Sequence, residues 1–319
     1  HTPALITFGQ TKKSGTVEWA NGRTRAEGQG NTTGSDVTSD IPDDIGVFAF
    51  GDGQNTTYVF NNQRAVYKLS PEYDSSLPWN YEEYKLDSDG NKIEENGSLL
   101  TQDNLWPYTT VAGSYTPRPW EEMRYRFFAY SPWAPDDHVS VAAENYAGFN
   151  SFTWDKIPGF TDKDYVLANH LVEVDNRDGS RQTPDAVHFE MRHILSRIRF
   201  FFKMDEHYRE LRKIELNSLT VLSAGKFKSA TFNFTSGTSW DGTVHWSKEE
   251  TGDADPVTLV NLDSEHYFVQ TDYPRDPVTN ELVPFTSVYV YPQEGFSELR
   301  LRISYTVYDS EGVVPREAE

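Results

Sequence analysis

The apolar residues of this chain fall in short runs with a period of two, separated by Gly, Pro, Asn and Asp at spacings of roughly 8–12 residues. A period of two sends alternate side chains to opposite faces of a strand, so the pattern restricts the chain to sheets. Ile45 to Phe50 is β-branched and aromatic, and is bounded by Pro42 and Gly51. Arg124 to Tyr130 reads as a strong strand that ends at Ser131-Pro132, because proline cannot donate to a central ladder. Leu299, Leu301, Ile303, Tyr305 and Val307 alternate with polar residues, which predicts a half-buried antiparallel strand. In two places the phase slips. Val187 to Lys203 changes face near His193, and Ile214 to Leu222 changes once, each predicting a β-bulge or kink. Only Asp205 to Lys213 could make a short helix. The fold class expected is therefore all-β, of sandwich or barrel type.

Composition decides whether such strands can bury a core. Apolar residues make up 37 %, which is low, but aromatics reach 14 %. Each buried aromatic removes ~150–250 Å² from water, so a core is still affordable. The length of 319 residues suggests two domains. The polar stretch Asn176 to Asp185 gives the boundary, with an N-terminal domain over 1–184 and a C-terminal domain over 185–319. Residues 21–40 carry no apolar periodicity and read as an exposed, flexible linker.

The formal net charge is −20, from 29 basic and 49 acidic residues. Such a field repels nucleic acid and anionic membrane surfaces. Without cysteine, disulfides, zinc–thiolate sites and cysteine nucleophiles are excluded. No apolar run is long enough to span a membrane.

Catalytic signatures are missing. There is no G-x-S-x-G, no phosphate loop, no dinucleotide fingerprint and no H-E-x-x-H. Asp87 to Asn91 begins like a calcium loop, but Ser98 stands where a bidentate Glu is needed, so a hairpin turn is the better reading. His188 and His193 lie five apart and read as structural. With so many acidic residues, a carboxylate pair at glycosidase spacing would arise by chance. The chain is thus expected not to be an enzyme, and no catalytic, cofactor-binding or metal-ligating residue is assigned. The tryptophans Trp79, Trp106, Trp120, Trp133 and Trp154 are either core or exposed platforms for sugar rings. Arg23 and Arg25 sit among small polar residues in the linker, where a trypsin-like protease could cut.

Taken in order, several segments resemble the fimbrillins of the Bacteroidetes type V pili. They are Leu5-Ile-Thr-Phe8, Thr24-Arg-Ala26, Ile45-Gly-Val-Phe48, Tyr125 to Pro132, Asp164 to Ala168 and Phe189 to Ile198. The resemblance covers nearly the whole chain. It implies two transthyretin-like antiparallel β-sandwich domains in tandem and a structural subunit or adhesin of a cell-surface fimbria. It also implies export as an outer-membrane lipoprotein, with the signal removed and the lipid anchor upstream. Maturation would be cleavage by an Arg-specific protease after Arg25, with Arg23 as the near alternative. That cut would release a first strand containing Leu5, Ile6, Thr7 and Phe8, and other pilin subunits would fill the gap by strand exchange. A host protein or glycan is a further partner of such surface proteins. Family members continue beyond a strand like Leu299 to Val307 into one more C-terminal strand. This sequence ends in a polar tail at Glu319, which fits a trimmed chain or a subunit that accepts a strand without giving one.

Overall fold

A core built from aromatics needs strands that bury them, and the strand Arg124–Ser131 does so on both of its faces in a computed structural model of the chain. From Tyr125 to Ser131 every residue except the half-buried Arg126 is buried. The structure describes residues 6, 8–10, 44–53, 58–67, 79–81, 85–86, 92–93, 120–179, 187–237, 245–262, 265–278, 280–293, 298–309, 311 and 315–316. These form an all-β protein whose one described α-helix is the single turn Glu206–Arg209. That turn is started by Asp205, whose carboxylate accepts from the His207 amide.

Two compact units divide the chain. The first comprises His1–Asp155, Tyr165–Ile194 and Phe232–His245, and the second Lys156–Asp164, Leu195–Thr231 and Trp246–Glu319. The boundary expected at 184/185 lies inside the segment Tyr165–Ile194 of the first unit. Val187–Phe189 and Met191–His193 pair within the first unit's sheet, so the segment Tyr165–Ile194 belongs to that unit.

The first unit carries a nine-stranded sheet. Its path runs Val187–Phe189, Phe8–Gln10, Trp79–Tyr81, Phe60–Tyr67, Asp44–Gly51, Arg124–Ser131, Val166–Ala168 and Met191–His193, with Val172–Asp175 also paired to Arg124–Ser131. Its core is a continuous aromatic cluster. Phe128 lies 4.9 Å from Phe152 and 4.6 Å from Phe234, and Tyr130 lies 4.8 Å from Trp154, ring centre to ring centre. Phe48 lies against Tyr130 and Phe152 in it, while Phe127 packs on the other face of the strand with Phe60, Trp120 and Tyr125.

In the second unit, a five-stranded sheet runs Val257–Asn261, Arg212–Ala224, Leu299–Asp309, Pro315–Arg316, with Tyr267–Phe268 also on Arg212–Ala224. A three-stranded sheet runs Phe160–Thr161, Thr286–Val290, Ser196–Phe200. Leu219 and Val221 of the larger sheet share one buried cluster with Phe160, Phe200, Val288 and Val290 of the smaller. Two sheets closing on one apolar layer make a sandwich.

The expected phase slips correspond to real breaks. The segment from Val187 to Phe200 is three strands, interrupted at Glu190 and again between His193 and Ser196. The strand Arg212–Ala224 shifts register against Leu299–Asp309 twice, at Leu216/Ser218 and at Val221/Ser223. One expectation fails in its burial. Leu299–Asp309 is a strand, but its apolar face is largely open: Tyr305 is 49 % exposed and Ile303 38 %. The core cluster reaches only Leu301 on this strand, so the residues beyond it gain no cover.

Candidate assembly site

Backbone groups in the middle of a sheet must be paired on both edges, whereas a terminal strand usually sits at an edge. The strand Phe8–Gln10 is close to the chain start, yet it lies between two neighbours. It runs parallel to Val187–Phe189, with Phe8 opposite Val187, Gly9 opposite His188 and Gln10 opposite Phe189. On its other side Phe8 faces Trp79 in antiparallel pairing. Ile6, just before the strand, is fully buried, and Val187 and Phe189 are 2 % and 1 % exposed.

The sequence placed the removable strand at Leu5, Ile6, Thr7 and Phe8. The described part of the strand is Phe8–Gln10, and Ile6 ahead of it is buried. Leu5 and Thr7 lie outside the described residues, as do Arg23, Arg25 and the linker 21–40. The flanking partners were not foreseen. Val187 and Phe189 could be seen as strand residues, but their parallel partner, more than 170 positions away, leaves no local signal. If the first strand left, the two strands beside it would lose a ladder partner. An unpaired sheet edge is the kind of surface that can take an extended segment through main-chain hydrogen bonds.

The other candidates fall into place as structural groups. Trp120 and Trp154 are 4 % and 1 % exposed, so neither is a platform for a sugar. Trp120 stands edge-on to Tyr125 at 4.9 Å. Trp133 donates its indole N–H to the Asn62 carbonyl and packs under Arg64. The side chains of Trp79 and Trp106 and the segment Asp87 to Asn91 lie outside the described residues. His193 is half-buried on the strand Met191–His193, and the His188 side chain is outside the described set.

Among the described residues, Glu215 is the one buried carboxylate. It accepts from Tyr308 Oη at 2.6 Å and is paired with His266 Nδ1. Tyr308 first, and His266 next, hold its carboxyl below the ordinary range. This is a closed hydrogen-bond network that ties Arg212–Ala224 to Leu299–Asp309 and to the start of Tyr267–Phe268. Groups of three or more metal-ligating side chains are absent among the described residues.

No protein-family profile matches the chain, and no curated protein matches it. In solved structures it is similar to a fimbrial protein of Bacteroides vulgatus, at 15 % identity and a TM-score of 0.35, covering 82 % of this chain and 76 % of that one. It is also similar to a candidate cell adhesion protein of Bacteroides uniformis, at 16 % identity and a TM-score of 0.37, covering 84 % of this chain and 78 % of that one. A third such protein, a candidate cell adhesion protein of Bacteroides ovatus, has 15 % identity and a TM-score of 0.34, with 84 % and 76 % covered.

Proposed function

We propose that this chain is a cell-surface structural subunit, of fimbrial or adhesive type, that assembles by exchange of its first strand and does not catalyse a reaction. The observation that carries this reading is the position of Phe8–Gln10 between Trp79–Tyr81 and Val187–Phe189, with Ile6 buried beside it. A first strand inserted into a sheet interior, followed by a polar stretch with Arg23 and Arg25, is a removable place-holder. A donor from another subunit would take the same path, parallel to Val187–Phe189 and antiparallel to Trp79–Tyr81. Repetition of that heterologous contact from subunit to subunit gives an open filament. Export to the outer surface and an upstream lipid anchor belong to this reading.

Limited digestion with a trypsin-like protease, followed by size-exclusion chromatography and N-terminal sequencing, tests it. The expected product begins after Arg25 or Arg23 and forms oligomers, while an Arg23→Ala/Arg25→Ala variant stays uncut and monomeric. A correctly trimmed protein that remains monomeric at high concentration would overturn the proposal.

A further inference from the structure

An unpaired strand edge is a template for a further strand, and native sheets blunt it with proline, a bulge or an inward-pointing charge. In the second unit, Leu299–Asp309 pairs along its whole length with Arg212–Ala224. On its other edge, among the described residues, only Val307 and Tyr308 are paired, to Arg316 and Pro315. The extra residues at the two register shifts, Asn217 and Leu222, belong to Arg212–Ala224, so Leu299–Asp309 itself runs without a bulge. The stretch from Leu299 to Thr306 holds no proline and no carboxylate. Its inner row is apolar, with Leu299, Ile303 and Tyr305 exposed, and its two cations, Arg300 and Arg302, stand on the opposite face. The Glu298 carbonyl accepts from the Gly225 amide, so Glu298 turns its main-chain groups towards Arg212–Ala224. Those groups alternate along a strand, which turns the N–H and C=O of Leu299, Leu301, Ile303 and Tyr305 to the open edge.

We propose that this edge pairs with the same edge of a second copy, antiparallel, about a twofold axis at Ile303. Residues directly opposite share one face of the joined sheet, so an axis between two residues would set apolar side chains against arginines. An axis at Arg300 or Arg302 sets an arginine against itself, and one at Leu301 sets Arg300 against Arg302; like charges directly opposite are unfavourable. An axis at Ser304 or Tyr305 needs Val307, which already stands opposite Arg316. With the axis at Ile303, Leu301 faces Tyr305, Arg302 faces Ser304 and Arg300 faces Thr306. Ile303 with Ile303, and Leu301 with Tyr305, then exchange main-chain hydrogen bonds through the groups turned to the open edge. The edge therefore complements itself, and the contact is isologous and closes at two copies. It lies apart from Phe8–Gln10 and needs no cut in the linker. So short an interface between two chains of net charge −20 makes a weak dimer, with a Kd of about 1 mM, that dissociates at the dilution of a chromatography column.

Single cysteines introduced into this cysteine-free chain report the register. Under mild oxidation of the concentrated, uncut chain, Ile303→Cys should give a disulfide-linked dimer, because residues at the axis stand about 5.5 Å apart between Cα atoms, within disulfide reach. Leu299→Cys should not, because its two copies lie ~27 Å apart along the paired strands. In sedimentation equilibrium the parent chain should dimerise more tightly at about 0.15 M salt than at about 0.01 M, since salt screens the repulsion between two acidic bodies. Ile303→Lys, which opposes two ammonium groups, should weaken the dimer about fivefold. Arg302→Ser should leave it no weaker, with thermal unfolding as the check on folding. A chain that stays monomeric at millimolar concentration, or links through Leu299→Cys as fast as through Ile303→Cys, would overturn the proposal. So would an association that salt weakens or Arg302→Ser abolishes, which would mark an acidic segment as the occupant.

Discussion

The ring of Tyr130 occupies the space where a β-carbon on Gly46 would stand. The two residues face each other across the strands Asp44–Gly51 and Arg124–Ser131, and an added Cβ would come within 2.3 Å of the ring. Gly46→Ala should therefore overpack the first unit and cost about 3 kcal/mol. Urea unfolding checks this, and a change below about 1 kcal/mol would mean the ring can move aside.

Tyr130 is also held at its far end. Its hydroxyl donates to Asn62 Oδ1 at 2.5 Å and accepts from the Ala134 amide, while Asn62 Nδ2 donates to the Ala134 carbonyl at 2.9 Å. Asn62 is buried, at a positive φ of 50° that asparagine tolerates better than most residues. Asn62→Ala removes the acceptor and keeps an unfavourable backbone. A loss of about 2–3 kcal/mol is expected in denaturant titration. Asn62→Gly should lose less, because the backbone penalty disappears.

Ile6 tests how firmly the first strand is seated. Its side chain is fully buried, so Ile6→Ala should destabilise the first unit by about 3 kcal/mol. Amide exchange near Val187 and Phe189 should quicken in this variant, since their strand pairs with Phe8–Gln10. Unchanged exchange there would detach the first strand from its neighbour.

Acid stability of the second unit should depend on Glu215. Its hydrogen bonds from Tyr308 and His266 lower its folded pKa below the ordinary value of 4.5. A carboxylate with a depressed folded pKa binds fewer protons in the folded state, so its contribution is complete above pH 4.5 and is lost as pH falls through the folded value. Tyr308→Phe removes the largest cause. Thermal unfolding followed between neutral and acid pH should show a weaker pH dependence in Tyr308→Phe than in the parent chain.

At alkaline pH the first unit should respond through Tyr125. Burial pushes its phenol up to about 12. A raised folded pKa gives a contribution that is complete below the ordinary value of 10 and is lost as pH rises towards 12. Ultraviolet titration should show this tyrosine ionising only as the first unit unfolds, and Tyr125→Phe should remove that step.

Much of this architecture could be read from residues in order. Short β-branched, aromatic or alternating runs are a local property of the chain, and they placed Asp44–Gly51, Arg124–Ser131 and Leu299–Asp309 as strands, while the short helix Glu206–Arg209 falls inside the one segment, Asp205 to Lys213, that could make one. The break between His193 and Ser196 and the shift at Leu216/Ser218 were legible because a slipped phase changes which face is apolar, whereas the interruption at Glu190 left the phase of Val187, Phe189 and Met191 unchanged. What the alternation could not contain is partnership between distant segments. That Phe8 lies between Trp79 and Val187, that Gly46 yields its space to Tyr130, and that the chain passes repeatedly between two units all depend on which faces find each other to bury. The same holds for the open face of Leu299–Asp309, where alternation promised burial and the core stopped at Leu301. By itself the sequence determined the strands, the aromatic material of the core and the absence of cysteine chemistry. Only the tertiary structure decided which distant strands flank Phe8–Gln10 and which aromatic faces meet, because burial and pairing are settled by the whole set of contacts and not by any one segment.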